Sequence, residues 1–255
     1  MISIIDQNFG LHSWKIAKAT PGMRVYVQPG MTYVDSGLSC DTFNVLHIND
    51  GAAVTSQSII NAITYYRQKG LAFCLWVCCE NLTENVRTAI AALQLKQQNQ
   101  EPGMVLALDQ YQPVYHSGHS NAAGGNNQKL VNDYAYVVAE NWTPPDQNVL
   151  EYYRQVGPVI LQNSTTVQFA VYYQNQQPVS VIEVFATDNT TAGLYGLATL
   201  ASYRGQGIGT SLLTFALNHC KKLGYSQVIL QASDDGIGIY KKIGFEIYTE
   251  YYEFA

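Results

Sequence analysis

A chain of 255 residues is long enough to bury one large core or two of ordinary size, and two is the expectation. Its hydrophobic fraction of 47% and charged fraction of 13% exclude a disordered chain, which needs less apolar and more charged content. A net charge of -5, with no basic run longer than the pairs Lys221/Lys222 and Lys241/Lys242, argues against a nucleic-acid surface; the apolar runs, such as 71–79, fall far short of a bilayer span, so a soluble, cytoplasmic protein without a membrane partner is expected.

The stretch up to Asn49 gives no clear assignment and holds short apolar runs at 23–28 and 43–48. A helix follows: Ser56 or Thr55 can cap it, Ile59, Ile60, Ile63 and Tyr66 share a face, and Gly70 stops it. A strand is expected over 71–79. Thr83 can cap a second helix with Val86, Ile90, Leu93 and Gln97 at helical spacing, ending in the polar run 97–100, and a strand over 104–109 comes after Pro102 and Gly103. The succession of helix, strand, helix and strand recurs later, which points to a duplicated unit.

Residues 111–128 contain His116, Ser117, Gly118, His119, Gly124, Gly125, Asn126 and Asn127, a composition that reads as a linker. It divides the chain into domains 1–125 and 126–255. No carboxylate or cysteine accompanies His116 and His119 at ligand spacing, so they read as solvated linker residues. The five cysteines lie mostly in apolar segments, and adjacent Cys78 and Cys79 point to opposite faces of an extended chain; reduced structural thiols are expected, and no metal.

From Lys129 a short strand and a helix through Val137 and Val138 precede Trp142, and a helix over 145–161 starts at Pro144 and Pro145. Strands over 166–173 and 179–187, joined by the polar turn 174–177, predict a hairpin. Next comes the stretch 192–223. Gly193, Leu194, Tyr195, Gly196, Leu197, Ala198, Thr199 and Leu200 carry no charge, as suits a buried strand, and Leu212, Leu213, Phe215, Ala216, Cys220 and Leu223 mark one helix face. Beyond Gly224 the pattern gives a strand over 226–231, a short helix over 236–243 closed by Gly244, and a strand over 245–252.

Between the central strand and its helix lie Arg204, Gly205, Gln206, Gly207, Ile208 and Gly209. Such a turn exposes backbone N–H groups, and the first N–H groups of a helix have no internal partner, so an anion fits there. The glycines alternate, and Thr210 stands where the dinucleotide fingerprint G-x-G-x-x-G needs its last glycine; no G-x-x-x-x-G-K-[ST] occurs. Both of those phosphate-binding readings fail on spacing.

The same residues match R-x-x-G-x-G, which resembles the acyl-CoA-binding turn of the GNAT acetyltransferase superfamily. Leu230, Gln231, Ala232 and Ser233 follow, and then Ile239, Tyr240, Lys241, Lys242, Ile243, Gly244 and Phe245, which resemble the family's closing LYxxxGF signature. Residues 192–209 and 230–245 are similar to a bacterial branch whose N-terminal half is less conventional, and 41–46 resemble an "FN.V" segment of that half. The resemblance is specific over about residues 166–248 and weak before them. It implies an α/β (α+β) fold of two tandem GNAT-like domains, each a mixed, mostly antiparallel sheet flanked by helices. The N-terminal half holds no second R-x-x-G-x-G and is expected to leave acyl-CoA alone and to shape the acceptor cleft.

What the resemblance implies about chemistry is an N-acyltransferase that moves an acetyl or short acyl group from acetyl-CoA to the primary amine of a small molecule or peptide. Leu197, Ala198 and Thr199 would pair with the pantetheine, and Arg204, Gly205, Gln206, Gly207, Ile208, Gly209 and Thr210 would hold the pyrophosphate. Tyr240 would protonate the departing thiolate. Apart from the resemblance, the place of Glu183 in the strand 179–187 makes it the candidate general base through water, with a solvated or structurally paired carboxylate as the other reading. Ser233 stands where many relatives place an asparagine against the pantetheine. A module that binds acyl-CoA without turnover is the alternative, and a plain α/β protein with a structural glycine turn is a third reading.

Overall fold

A computed structural model describes residues 2–255. In chain order the elements are α1 (Ile2–Ala19), β1 (Arg24–Gln28), β2 (Met31–Asp35), β3 (Val45–Ile48), α2 (Ser56–Lys69), β4 (Cys74–Cys78), α3 (Glu84–Leu93), β5 (Gln97–Ala107), β6 (Ala122–Gly125), α4 (Gln128–Ala139) and α5 (Gln147–Gln162). They continue with β7 (Val167–Gln174), β8 (Gln177–Ala186), β9 (Thr191–Thr199), α6 (Ile208–Leu223), β10 (Gln227–Gln231), α7 (Ile237–Ile243) and β11 (Glu246–Phe254). The chain divides into two compact units. The first runs to Met104 and takes up Gln231–Gly238 and Ile247–Ala255; the second comprises Val105–Leu230 and Ile239–Glu246. Domains 1–125 and 126–255 are a division by motif, and the compact units cut the chain elsewhere.

In the first unit, β1, β2 and β3 pair antiparallel, α2 returns the chain to a parallel β4, and β11 pairs antiparallel with β4. Thr55 and Ser58 form a reciprocal capping box at the start of α2, and Gly70 ends it in the left-handed conformation at φ 65°. The buried face of α2, Ile59, Ala62, Ile63 and Tyr66, packs on Met31, Leu46, Ile48, Leu75 and Val77. Each large side chain buried there contributes about 1.5–3 kcal/mol. The Tyr66 hydroxyl donates to the Val34 carbonyl at 2.6 Å, so its polar end is satisfied inside the core.

The second unit repeats the succession. β7, β8 and β9 pair antiparallel, α6 crosses, and β10 lies parallel to β9. The β7–β8 turn places Asn175 and Gln176 at φ 50° and 67°, the geometry of a two-residue hairpin turn that follows the twist of its strands. Leu212, Leu213, Ala216, Leu217 and Cys220 of α6 are buried, as are Phe169, Val171, Val181, Ile182 and Phe185 of the sheet.

Four segments differ from the sequence reading. Residues 2–19, left unassigned, form α1. The polar run 97–100 belongs to β5 rather than to the end of α3, because Gln94 takes the left-handed conformation at φ 56° and stops α3 at Leu93. Within the expected linker, 122–125 is β6, an edge strand antiparallel to β7, and the short strand expected near Lys129 is the first turn of α4. No helix among the described residues is long and apolar enough to cross a membrane.

Candidate functional site

β9 changes character along its length. Thr191 to Leu194 are buried, and Thr191, Ala192 and Gly193 pair with Gln227, Val228 and Ile229 of β10. Beyond them the residues become half-buried or exposed. On the β8 side Glu183 faces Tyr195 and Val181 faces Ala198, so Ile182 stands opposite the two residues Gly196 and Leu197. That two-against-one count is a bulge, and Gly196 sits in it at φ 58°. Bulges of this kind interrupt pairing and re-aim backbone groups.

Past the bulge, Leu197, Ala198 and Thr199 run to the glycine turn. Ser180 on β8 anchors them, its hydroxyl donating to the Ala198 carbonyl at 2.8 Å and lying 2.8 Å from Thr199 Oγ1. Arg204 Nε donates to the Thr199 carbonyl at 2.9 Å and Nη2 to Asn141 Oδ1 at 2.6 Å, which fixes the guanidinium at the exposed mouth of the turn. Gly205 and Gly207 hold φ 72° and 76°, and a Cβ built on either would meet nothing within 4 Å. At Gly209 a Cβ would lie 3.4 Å from Thr199 Oγ1, so the end of β9 and the start of α6 are neighbours.

Gly207 is the N-cap of α6. No side chain caps the helix and no acidic residue lies in its first turn. Its first bond runs from the Ser211 N–H to the Gly207 carbonyl at 2.9 Å, leaving the N–H groups of Ile208, Gly209 and Thr210 without an intrahelical acceptor. Open space over two left-handed glycines, unused donors and the positive end of a 16-residue helix together make a cradle for an anion. The residues fit a diphosphate group.

The other expected residues lie as follows. Glu183 is buried on β8 one register step from the bulge, with the Tyr153 hydroxyl donating to its Oε2 at 3.4 Å. Tyr134 and Tyr153 stand edge to face with centroids 5.1 Å apart, and Tyr152 follows at 5.3 Å from Tyr153. Burial pushes the phenols of Tyr134 and Tyr152 up, and the charge of Glu183 adds to it. They are hydroxyl donors at neutral pH. Tyr240 is buried in α7 and packs edge-on against Phe245 at 5.6 Å. Ser233 belongs to the first unit, where its carbonyl accepts from Gly236 and Ile237 ahead of α7.

The structure thus joins Thr199, Arg204 and Gly209 around one turn and puts Glu183 at the bulge of the strand that feeds it. Sequence reasoning missed Ser180, Asn141 and the tyrosines of α4 and α5. Tyr134 falls on the apolar face of α4 with Leu130, Val131 and Val137, where it reads as core. Asn141 sits beyond the helix with no periodic mark.

Residues 138–255 match the model of an acetyltransferase (GNAT) domain. Over 90 residues the chain is 28% identical to an uncharacterized acetyltransferase of Streptococcus pyogenes, a match covering 35% of this chain and 62% of that protein, so the chain spans under two thirds of that relative. Two solved structures share the fold over nearly the whole length. A GCN5-related N-acetyltransferase from Kribbella flavida has TM-score 0.67 and 14% identity over 97% of this chain and 94% of its own. A tandem GNAT protein from the clavulanic acid biosynthesis pathway has TM-score 0.60 and 13% identity over 99% and 93%.

Proposed function

We propose that the chain, whose residues 138–255 match the model of an acetyltransferase (GNAT) domain, is an N-acyltransferase moving an acetyl or short acyl group from CoA to a primary amine. The observation that carries this reading is the start of α6: two left-handed glycines over open space, followed by N–H groups that no side chain caps.

Acyl-CoA as the donor substrate supplies a thioester carbonyl and a thiolate leaving group. Gly205 to Thr210 hold its diphosphate, with Arg204 adding positive charge at the mouth of the turn. The stretch Leu197–Thr199, held by Ser180 on one edge, offers backbone donors and acceptors to the amide-bearing arm. The amine nitrogen attacks the carbonyl carbon as the carbon–sulfur bond breaks. Backbone N–H groups near the Gly196 bulge oppose the charge that develops on the carbonyl oxygen. Glu183 takes the proton that the amine loses, through water, and Tyr240 gives one to the thiolate. In this reading residues 126–255 carry the chemistry, and the preceding half shapes the acceptor side.

Calorimetry with acetyl-CoA tests the donor site. The wild type binds and Gly207→Glu does not, since the substitution puts a carboxylate into the cradle; equal binding by a folded Gly207→Glu protein refutes the assignment. Steady CoA release with an amine from a broad panel then marks an enzyme. Tight acetyl-CoA binding with no turnover across that panel marks a binding module instead.

A further inference from the structure

Tyr134, Tyr153 and Glu183, all of the second unit, form a line that starts at the β9 bulge. Gly196 is exposed, and the Tyr134 hydroxyl takes the place of its missing side chain, since a Cβ there would lie 2.0 Å from Oη. The ring behind that hydroxyl is fixed. It is buried on α4, tilted against Phe169 with centroids 4.7 Å apart and edge to face with Tyr153 at 5.1 Å. The polar end of the side chain is the part brought to the exposed strand.

Counting protons orders the hydroxyls. A phenol has one O–H to donate and oxygen lone pairs to accept with. Tyr153 gives its proton to Glu183 Oε2 at 3.4 Å, a length that catalytic hydrogen bonds often show before substrate tightens them. The hydroxyls of Tyr134 and Tyr153 are also hydrogen-bonded to each other, so in that bond Tyr134 donates and Tyr153 accepts. Tyr134 Oη, having given its proton inward, meets the bulge as an acceptor. Burial pushes both phenols up, so both are protonated at neutral pH.

We propose that Tyr134 is a further catalytic residue of the acyl transfer, taking the proton of the attacking amine and passing it through Tyr153 to Glu183. The relay rests on the acyltransferase reading, and the two phenols fill the role given there to water. As the nitrogen–carbon bond forms, the amine proton moves to Tyr134 Oη, the Tyr134 proton to Tyr153 Oη and the Tyr153 proton to the Glu183 carboxylate. Each phenol gains one proton as it loses one. A buried phenolate is costly, so the transfers are concerted. The carbon–sulfur bond breaks with its electron pair going to sulfur, which takes a proton from Tyr240; afterwards Glu183 returns its proton to solvent and Tyr240 regains one.

The test follows CoA release from acetyl-CoA with the fastest amine of a panel made up of n-butylamine, phenethylamine, Nα-acetyl-lysine and glucosamine. In Tyr153→Phe and in Tyr134→Phe, which keep the rings, kcat/KM for the amine falls about 10²-fold while KM for acetyl-CoA holds. Tyr153→Phe combined with Glu183→Gln is no slower than Glu183→Gln alone, because groups that act as a unit lose their effect together. Should Tyr134→Phe unfold, Tyr153→Phe and the double variant decide. Wild-type kcat/KM in a folded Tyr153→Phe, or losses that multiply in the double variant, overturns the relay and leaves acyl transfer standing. No CoA release by the wild type with any amine of the panel overturns both.

Discussion

The Tyr134 hydroxyl occupies the space that a side chain at position 196 would need: a Cβ built on Gly196 would lie 2.0 Å from Tyr134 Oη and 3.1 Å from Cζ. Gly196 also holds φ 58°, where L side chains are strained. The β9 bulge is thus set twice, by its own backbone and by a tyrosine from α4.

Gly196→Ala is expected to cost about 2–5 kcal/mol, the sum of left-handed strain and overpacking. Tyr134→Phe alone removes the hydroxyl and leaves the ring. In the double variant the 2.0 Å clash is gone while the 3.1 Å approach to the ring and the strain remain, so stability recovers in part. Urea unfolding of the four proteins measures the coupling. Additive losses would mean that Tyr134 does not set the bulge.

Arg204 is exposed, and its two hydrogen bonds go to the Thr199 carbonyl and Asn141. Its removal is expected to change stability by about 0.5 kcal/mol or less, as for surface positions generally. Its effect falls on the donor: Arg204→Ala raises the dissociation constant of acetyl-CoA about tenfold, as loss of a charged hydrogen bond to phosphate does. Arg204→Lys recovers only part of the loss, because an ammonium cannot reach two partners in a fork. The same titration in rising salt flattens the difference between the wild type and Arg204→Ala.

Much of the fold was legible where a local signal and the tertiary environment agreed. Thr55 and Gly70 bracket α2, the 174–177 turn joins β7 to β8, and Gly224 ends α6 as read. α1 was missed because Gly10 interrupts it, a glycine explained only by the close approach of His47. Gln97 to Gln100 are exposed on both faces of β5, so no alternation distinguishes them from a polar helix end. β6 is built of Ala122, Ala123, Gly124 and Gly125, a linker composition that pairing with β7 makes into an edge strand. At the site, the glycine turn was readable because backbone conformation restricts the residue type. Ser180 and Asn141 were not, since their contacts are long-range and leave no spacing.

Glu101 gives the first unit a pH dependence. Burial first, then the charges of Glu253 and Asp234, push its carboxyl up to about 7. Below the ordinary glutamate range the group is protonated whether the chain is folded or not. As pH rises from about 4.5 toward 7, the unfolded chain ionises first and is favoured, so stability falls across that window and levels off above it. Glu101→Gln removes the penalty, with a gain on the order of 1–2 kcal/mol at pH 8 and little change at pH 4. Thermal melts at the two values check this; an equal shift in melting temperature at both would show that the carboxyl does not titrate in the folded state.

Tyr240 and Glu183 are assigned opposite proton movements, and kinetics can separate them from the packing roles that both side chains also fill. Tyr240 is buried against Phe245, so Tyr240→Phe preserves the ring contact and deletes only the hydroxyl. If that hydroxyl protonates the thiolate, kcat falls about 10²-fold or more while KM for acetyl-CoA holds, because the loss is confined to the transition state. Glu183→Gln removes the base and leaves the β8 backbone opposite Tyr195 intact. Its kcat/KM for the amine falls by a similar factor near neutral pH. Raising the pH restores rate to Glu183→Gln, since the amine then arrives deprotonated, and restores none to Tyr240→Phe. If both variants keep wild-type kcat and the wild-type profile, Tyr240 and Glu183 serve packing alone, and proton transfer must be assigned to other groups of the second unit.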